Sequence, residues 1–454
     1  MTLTSVNPAT GQEFATFPSH GPDEVTAALA RSWDAFGDWR TASSGARAAV
    51  LAAAADELDQ RRDDLAALMT NEMGKTLASA GAEVDKCAWA CRHYAEHVDD
   101  YLAQDTIETD AAASYVRFDP LGPILAVMPW NFPLWQAFRA AAPALVAGNT
   151  MLLKHASNVP GCAMAIEEVF TAAGAPEGVF STLLVGSGAV ADIIADERVR
   201  GVTLTGSEVA GRKVAAQAGE HLKPTVLELG GSDPFIVLED ADVARAAEVA
   251  ATSRLINNGQ SCIAAKRFIV VDTVVDEFTE AFRHHLAAAT VGDPMDADTD
   301  VGPLARADLR DDLQDQVRRS VADGATLALG GDVVDGPGWF HEVTLLTGVG
   351  ARHAVGFEET FGPAAAVMPV ADVDDAVAIA NSSPYGLGAA VWTRDVERGQ
   401  QVASHLESGA VFVNELVKSD PRVPFGGVKD SGYGRELGEY GAKAFVNAKT
   451  VWVA

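Results

Sequence analysis

The chain is short of lysine, of cysteine and of long apolar runs. Of its 454 residues only 10 are lysine and 24 arginine, against 63 carboxylates, and the formal net charge is −29. A surface this acidic repels phosphate, which excludes nucleic acid as a partner. Many scattered carboxylates with few lysines also predict a salt-rich host, where screening relieves the self-repulsion. Four cysteines, Cys87, Cys91, Cys162 and Cys262, do not make a disulfide framework, and a reducing cytoplasm is the expected setting. No apolar run reaches the roughly 20 residues of a bilayer-spanning helix, so no membrane partner is expected. The opening "MTLTSVNPATGQEF" carries no basic start and no apolar segment, so no export signal is expected.

What is present reads as a globular α/β protein. Hydrophobic residues make up 48% of the chain, and its length allows two or three domains. Residues 22–105 are rich in alanine and leucine at three- and four-residue spacing, which predicts helices. Cys87 and Cys91 fall there in "KCAWACRHYAEH", with His93 and His97 beyond. An alanine- and aromatic-rich helix explains that segment by packing, and no metal site is expected. From "SYVRFDPLGPILAVMPW" onward β-branched runs alternate with helical ones: "TMLLKHA", "FSTLLVG", "GVTLTG", "TVLELGGSDPFIVL" and "RFIVVD" read as strands. That rhythm predicts a parallel sheet with crossover helices. The terminal "AFVNAKTVWVA" reads as a strand with no helix to cover it, and such a strand tends to pair with another domain or subunit.

Two glycine motifs compete for a phosphate. "LLVGSGAVA" places Gly186 and Gly188 between a strand and a helix in the Gly-x-Gly-x-x-Ala spacing of a dinucleotide fingerprint. "TLTGSEVAGRKV" places Gly206 and Ser207 in the same strand-to-helix context. The pattern alone does not choose between them.

Three further segments carry chemistry. In "NNGQSCIAAKR" Cys262 sits among small residues and backbone amides, a setting that leaves a sulfur reachable as a nucleophile. In "VMPWNFP" Asn131 lies between two prolines that stiffen the turn, and a rigid amide donor suits a developing oxyanion. In "TVLELGGSDPF" Glu228 stands between leucines at a strand end, where burial raises a carboxyl pKa toward that of a general base. A thiol, an amide and a carboxylate together fit acyl transfer through a thioester.

"PWNFP", "TLTGS", "LELGG", "GQSC", "FGP" and "PFGGVKDSGYGRE" occur in that order, and the set resembles the signature segments of the aldehyde dehydrogenase superfamily over nearly the whole chain. "KHASN", "ELGGSDPFIVL" and "GQSCIAAKR" are most similar to its shorter succinate-semialdehyde dehydrogenase branch. The resemblance implies a Rossmann-type cofactor domain (residues 1–101 and 121–230), an α/β catalytic domain (231–430) and oligomerisation strands (102–120 and 443–454). It implies that the helix opened by Gly206 and Ser207 meets the cofactor pyrophosphate, with Gly186 and Gly188 nearer the adenine. Cys262 would attack the aldehyde, Asn131 and the Cys262 amide would hold the oxyanion, and Glu228 would activate the hydrolytic water. Lys154 would bond the adenosine ribose, Trp130 would line the cofactor channel, and Glu359 would bond the nicotinamide ribose with Phe361 beside it.

Two departures bear on these expectations. Ser157 replaces the glutamate that would repel a 2′-phosphate, so the cofactor is expected to be NAD or NADP. Ser232 stands where many relatives have lysine. Arg139, eight residues beyond Asn131, is the candidate receptor for a substrate carboxylate, since a guanidinium holds one by two parallel bonds. Arg422 is a second candidate. The implied reaction is NAD(P)-dependent oxidation of an aldehyde, succinate semialdehyde first, by a homodimer or homotetramer. A dehydrogenase for other aldehydes is the alternative. Acylating relatives that pass the thioester to coenzyme A or phosphate typically lack the glutamate, which disfavours them here.

Overall fold

The computed structural model describes residues 2–454. Four helices, Pro22–Trp39, Ser44–Gln60, Arg62–Met73 and Leu77–Tyr101, fill the region read as helical. Cys87 and Cys91 lie on the fully buried face of the last of these, in the core that it shares with Ala54, Leu58 and Phe138. A hairpin of Thr2–Asn7 and Gln12–Pro18 precedes them.

Two large sheets organise the rest. The six-stranded sheet has the order Gly432–Tyr433, Thr225–Glu228, Gly201–Thr205, Pro123–Val127, Thr150–Lys154 and Phe180–Thr182. All its pairs are parallel except the outermost, Gly432–Tyr433 on Thr225–Glu228. The central segments PILAV, TMLLK and GVTLT are apolar almost throughout because helices cover both faces of the sheet. Successive strands run outward from Pro123–Val127 to Phe180–Thr182, and then Gly201–Thr205 starts the other side. That reversal opens a crevice at the carboxyl ends of the three central strands, where open α/β sheets take their ligands.

The seven-stranded sheet has the order Thr326–Leu329, Thr344–Thr347, Ala364–Val370, Arg267–Val271, Pro234–Val237, Gly388–Trp392 and Ala410–Val413. "TVLELGGSDPFIVL" is therefore divided between sheets. Thr225–Glu228 closes the first and Pro234–Val237 enters the second, with Gly230–Gly231 between them. A third sheet pairs Val446–Val453 with Ala113–Pro120, and that strand with Asp105–Thr106. Val446–Val453 leaves its outer edge open, with Trp452 53% exposed. Among the described residues no helix is long and apolar enough to cross a membrane.

Candidate active site

Cys262 follows a loop that is unusually constrained. After the helix Val243–Leu255, Asn257, Asn258 and Gly259 all have positive φ, at 56°, 59° and 73°. Asparagine and glycine are the residues that accept this conformation most readily. The side chains that hold it are buried. Asn257 Nδ2 donates to the carbonyls of Asn131 (2.7 Å) and Gln260 (3.0 Å). Asn258 Nδ2 donates to the carbonyls of Gly74 (2.8 Å) and Pro303 (3.1 Å). Beneath the loop, Lys266 Nζ donates to the carbonyls of Ser261, Cys262 and Ala264 at 2.9, 2.8 and 3.1 Å. A Cβ on Gly259 would stand 2.2 Å from the Gly362 carbonyl oxygen, so only glycine fits there. Backbone held this firmly in sparse conformations is common where a reactive group must be positioned.

Asn131 is tied to the same loop. Its Nδ2 donates to the Gln260 carbonyl at 3.1 Å, which leaves the second N–H of the amide for another acceptor. The turn is pinned from behind by Glu83, whose Oε1 accepts from the amides of Leu134 and Trp135 at 2.8 Å each. Glu83 is itself paired with the buried Lys75.

Glu228 ends its strand almost wholly buried, and neither carboxylate oxygen has a hydrogen-bond partner. Burial first, and the neighbouring Glu436 carboxylate second, hold its pKa well above the usual carboxylate range, with Arg139 opposing. Both effects favour the neutral acid. Glycines make room for it: a Cβ on Gly426 would lie 2.6 Å from Glu228 Oε1. The strand end also packs on the cysteine loop, because a Cβ on Gly231 would lie 2.7 Å from the Cys262 carbonyl oxygen.

Cys262 is partly accessible, from a cavity of about 220 Å³ that is also lined by Phe132, Trp135, Arg139 and Phe425. Burial pushes its thiol up to about 12, with Arg139 and Lys266 pulling the other way. At neutral pH this favours the thiol. Arg139 is the group that acts on both ends of the site, lowering Cys262 and Glu228 alike. Its guanidinium is buried, paired with Glu436 and bonded through Nη2 to Thr205 Oγ1 at 3.1 Å. Arg422 lies outside the cavity lining, exposed and paired with Asp420 at 2.6 Å.

The other candidate residues gather at the crevice of the six-stranded sheet. Lys154 ends one central strand, Gly206 and Ser207 follow the next, and Trp130 lies just beyond the third. Ser207 caps the 13-residue helix Glu208–Glu220, accepting from the Ala210 amide at 3.4 Å. Gly186 and Gly188 open only a short turn and the six-residue helix Val190–Ala195. Among the described residues Lys154 Nζ makes no hydrogen bond or ion pair, and Ser157 is exposed nearby. Glu359 accepts from the Gly231 amide at 2.9 Å and pairs with Lys266 at 3.8 Å. Trp130 and Phe361 meet edge to face at 5.7 Å.

The chain matches the model of the aldehyde dehydrogenase family over residues 1–451. It belongs to that family. A probable succinate-semialdehyde dehydrogenase [NADP(+)] of Synechocystis sp. is 52% identical over the full length of both chains. Succinate-semialdehyde dehydrogenase [NADP(+)] 1 of Mycobacterium tuberculosis is also 52% identical over the whole of both. Among solved structures, the succinic semialdehyde dehydrogenase of Streptococcus pyogenes in complex with NADP+ is 39% identical and superposes with a TM-score of 0.97 over 99% of each chain.

Several residues of this aldehyde dehydrogenase site escape a reading of the sequence. Glu436 lies within "GYGRE", yet nothing local marks it as the partner of Arg139. Glu83, Lys86 and Lys266 read as helix-surface or strand-flanking charges, and only the tertiary fold brings them to the site.

Proposed function

We propose that this chain oxidises succinate semialdehyde to succinate, with NADP as the hydride acceptor. The observation that carries the reading is the cavity that joins Cys262 to the buried cation Arg139. The names of the relatives at 52% identity support the same substrate and cofactor. The crevice residues fit a 2′-phosphorylated dinucleotide: an ammonium without a partner at Lys154, a hydroxyl at Ser157 where no carboxylate repels, and a capped helix N-terminus at Ser207.

In this reading Cys262 gives its proton to solvent water, with Arg139 and Lys266 favouring the thiolate, and the sulfur attacks the aldehyde carbon. The oxyanion takes the free N–H of Asn131 and the backbone amide of Cys262. A nicotinamide bound in the crevice would supply the hydride acceptor, and loss of the hydride would leave a thioester on Cys262. Ionised Glu228 then takes a proton from water, whose oxygen displaces the sulfur and releases the carboxylate. Lys154, Ser157, Gly206, Ser207 and Trp130 would bind the cofactor, and Glu359, with Phe361 beside it, would hold its nicotinamide ribose. Arg139 offers N–H donors to the far end of the substrate.

The open edge of Val446–Val453 and the half-exposed Trp452 support assembly as a homodimer or homotetramer, in a cytoplasm where salt screens the acidic surface. Light scattering that gives a monomer contradicts the assembly. Reduction of NADP and NAD by purified enzyme in concentrated potassium chloride tests the reaction. Succinate semialdehyde should far exceed butyraldehyde, and equal rates remove the substrate assignment.

A further inference from the structure

The charged groups around the cavity pair off with one exception. Lys75 is held by Glu83, and Arg139 by Glu436. Arg422 is held by Asp420 at 2.6 Å, and Lys418 by Glu415 at 3.1 Å. Burial and Glu436 push Glu228 toward its uncharged form. Lys86 remains. It lines the same cavity as Cys262 and forms no ion pair among the described residues. Its Nζ donates to Ser419 Oγ at 2.7 Å and sits 4.4 Å from the centre of the Trp135 ring. A hydroxyl and an aromatic face orient an ammonium without neutralising it. Burial, with Arg139 beside it, lowers the amine to about 8, so most of it is still charged at neutral pH.

A partly buried cation without a counterion is costly unless something else brings the negative charge. Arg139 already has partners in the structure, Glu436 and, through Nη2, Thr205. Glu83 and Asp420 act on Lys86 electrostatically but are paired elsewhere, with Lys75 and Arg422, so Lys86 has a charge without an ion-pair partner, and it has the access.

We propose that Lys86 is the specificity-determining cation of this cavity. Its ammonium, steadied by Ser419 and Trp135, receives the terminal carboxylate of an ω-oxo acid whose aldehyde carbon stands at Cys262. Arg139 contributes further N–H donors and the local field, and Lys86 adds a cation that no carboxylate of the chain pairs, which separates an aldehyde acid from an uncharged aldehyde of similar length. This inference rests on the reading above that the substrate is an aldehyde acid.

The test compares Lys86→Met, which keeps length and ring contact but removes charge, with Lys86→Arg. KM and kcat are measured with succinate semialdehyde and with butyraldehyde at saturating NADP. Lys86→Met should raise KM for the semialdehyde on the order of tenfold or more, and the ratio of kcat/KM between the two aldehydes should fall with it. Lys86→Arg should keep most of the ratio. A residue that only supports the fold would depress both substrates alike. Lys86→Gln serves if the methionine variant does not fold. Protection of Cys262 from iodoacetamide by succinate gives a reading independent of turnover, and the uncharged variants should lose it. A ratio and a protection unchanged in those variants overturn the role of Lys86 while the substrate assignment stands. A wild-type enzyme that does not prefer the semialdehyde overturns both.

Discussion

Arg139 and Glu436 form an ion pair with side chains only 2% and 5% exposed, and Glu228 lies close enough to feel both charges. Thr203 Oγ1 donates to Glu436 Oε1 at 3.1 Å, and Thr205 accepts from Arg139, so two alternate positions of one strand, on either side of Leu204, hold the two partners. The pair carries out two tasks. It keeps a cation near the Cys262 sulfur, and it fixes how much negative charge Glu228 meets.

Removing one partner should therefore be worse than removing both. Arg139→Met strands the Glu436 carboxylate and should destabilise the fold by about 3–5 kcal/mol, the usual effect of breaking a buried pair. The double variant Arg139→Met, Glu436→Leu should recover most of that stability but not turnover. Denaturant unfolding of the two variants checks the first half, and NADP reduction the second.

Glu228→Gln should stabilise the protein while stopping turnover. A carboxyl whose folded pKa is raised contributes fully below its unfolded pKa and loses that contribution as pH climbs toward the folded value. The gain on substitution should thus be small near pH 4, from about the ordinary Glu pKa of 4.3, and should grow toward neutrality. Thermal unfolding over a pH series reads it. The same raised pKa predicts that wild-type turnover climbs with pH above the ordinary carboxylate range as Glu228 ionises.

Asn131→Ala should lower kcat by roughly 10²–10³, the effect of losing one oxyanion donor. The substitution also removes the bond to the Gln260 carbonyl, so a crystal structure or thiol titration must show that Cys262 is still in place.

Ser157→Glu should turn the cofactor preference from NADP toward NAD. A carboxylate beside Lys154 would pair with its free ammonium and repel a 2′-phosphate. KM for the two cofactors is the readout, and an unchanged ratio contradicts the assignment of Ser157.

The fold was legible where local pattern coincides with the environment. The runs PILAV, TMLLK and GVTLT read as strands because both faces of the sheet are covered, and the alanine-rich N-terminal region reads as helix. The hairpin Thr2–Pro18 was not legible, since Ser5 alone among its strand residues is buried and no apolar stripe marks a core-facing side. Periodicity did not show the division of "LELGGSDPF" between two sheets, because it does not say which sheet a strand joins; the boundary after residue 230 was implied only by the family resemblance. At the site, Cys262, Asn131 and Glu228 stand out by their neighbours in sequence. Glu436 and Lys86 do not, for their meaning comes from distant partners, Arg139 in one case and Ser419 in the other.

The central claim is that Cys262 carries the acyl group of the oxidised substrate and that Glu228 is needed to release it. The most direct measurement is the intact mass of the Glu228→Gln enzyme, quenched after mixing with NADP and succinate semialdehyde, with the modified peptide sequenced. The account predicts one succinyl group on Cys262, formed with a single turnover of NADPH. An unmodified enzyme that still produced NADPH, or a succinyl group on another residue, would contradict it.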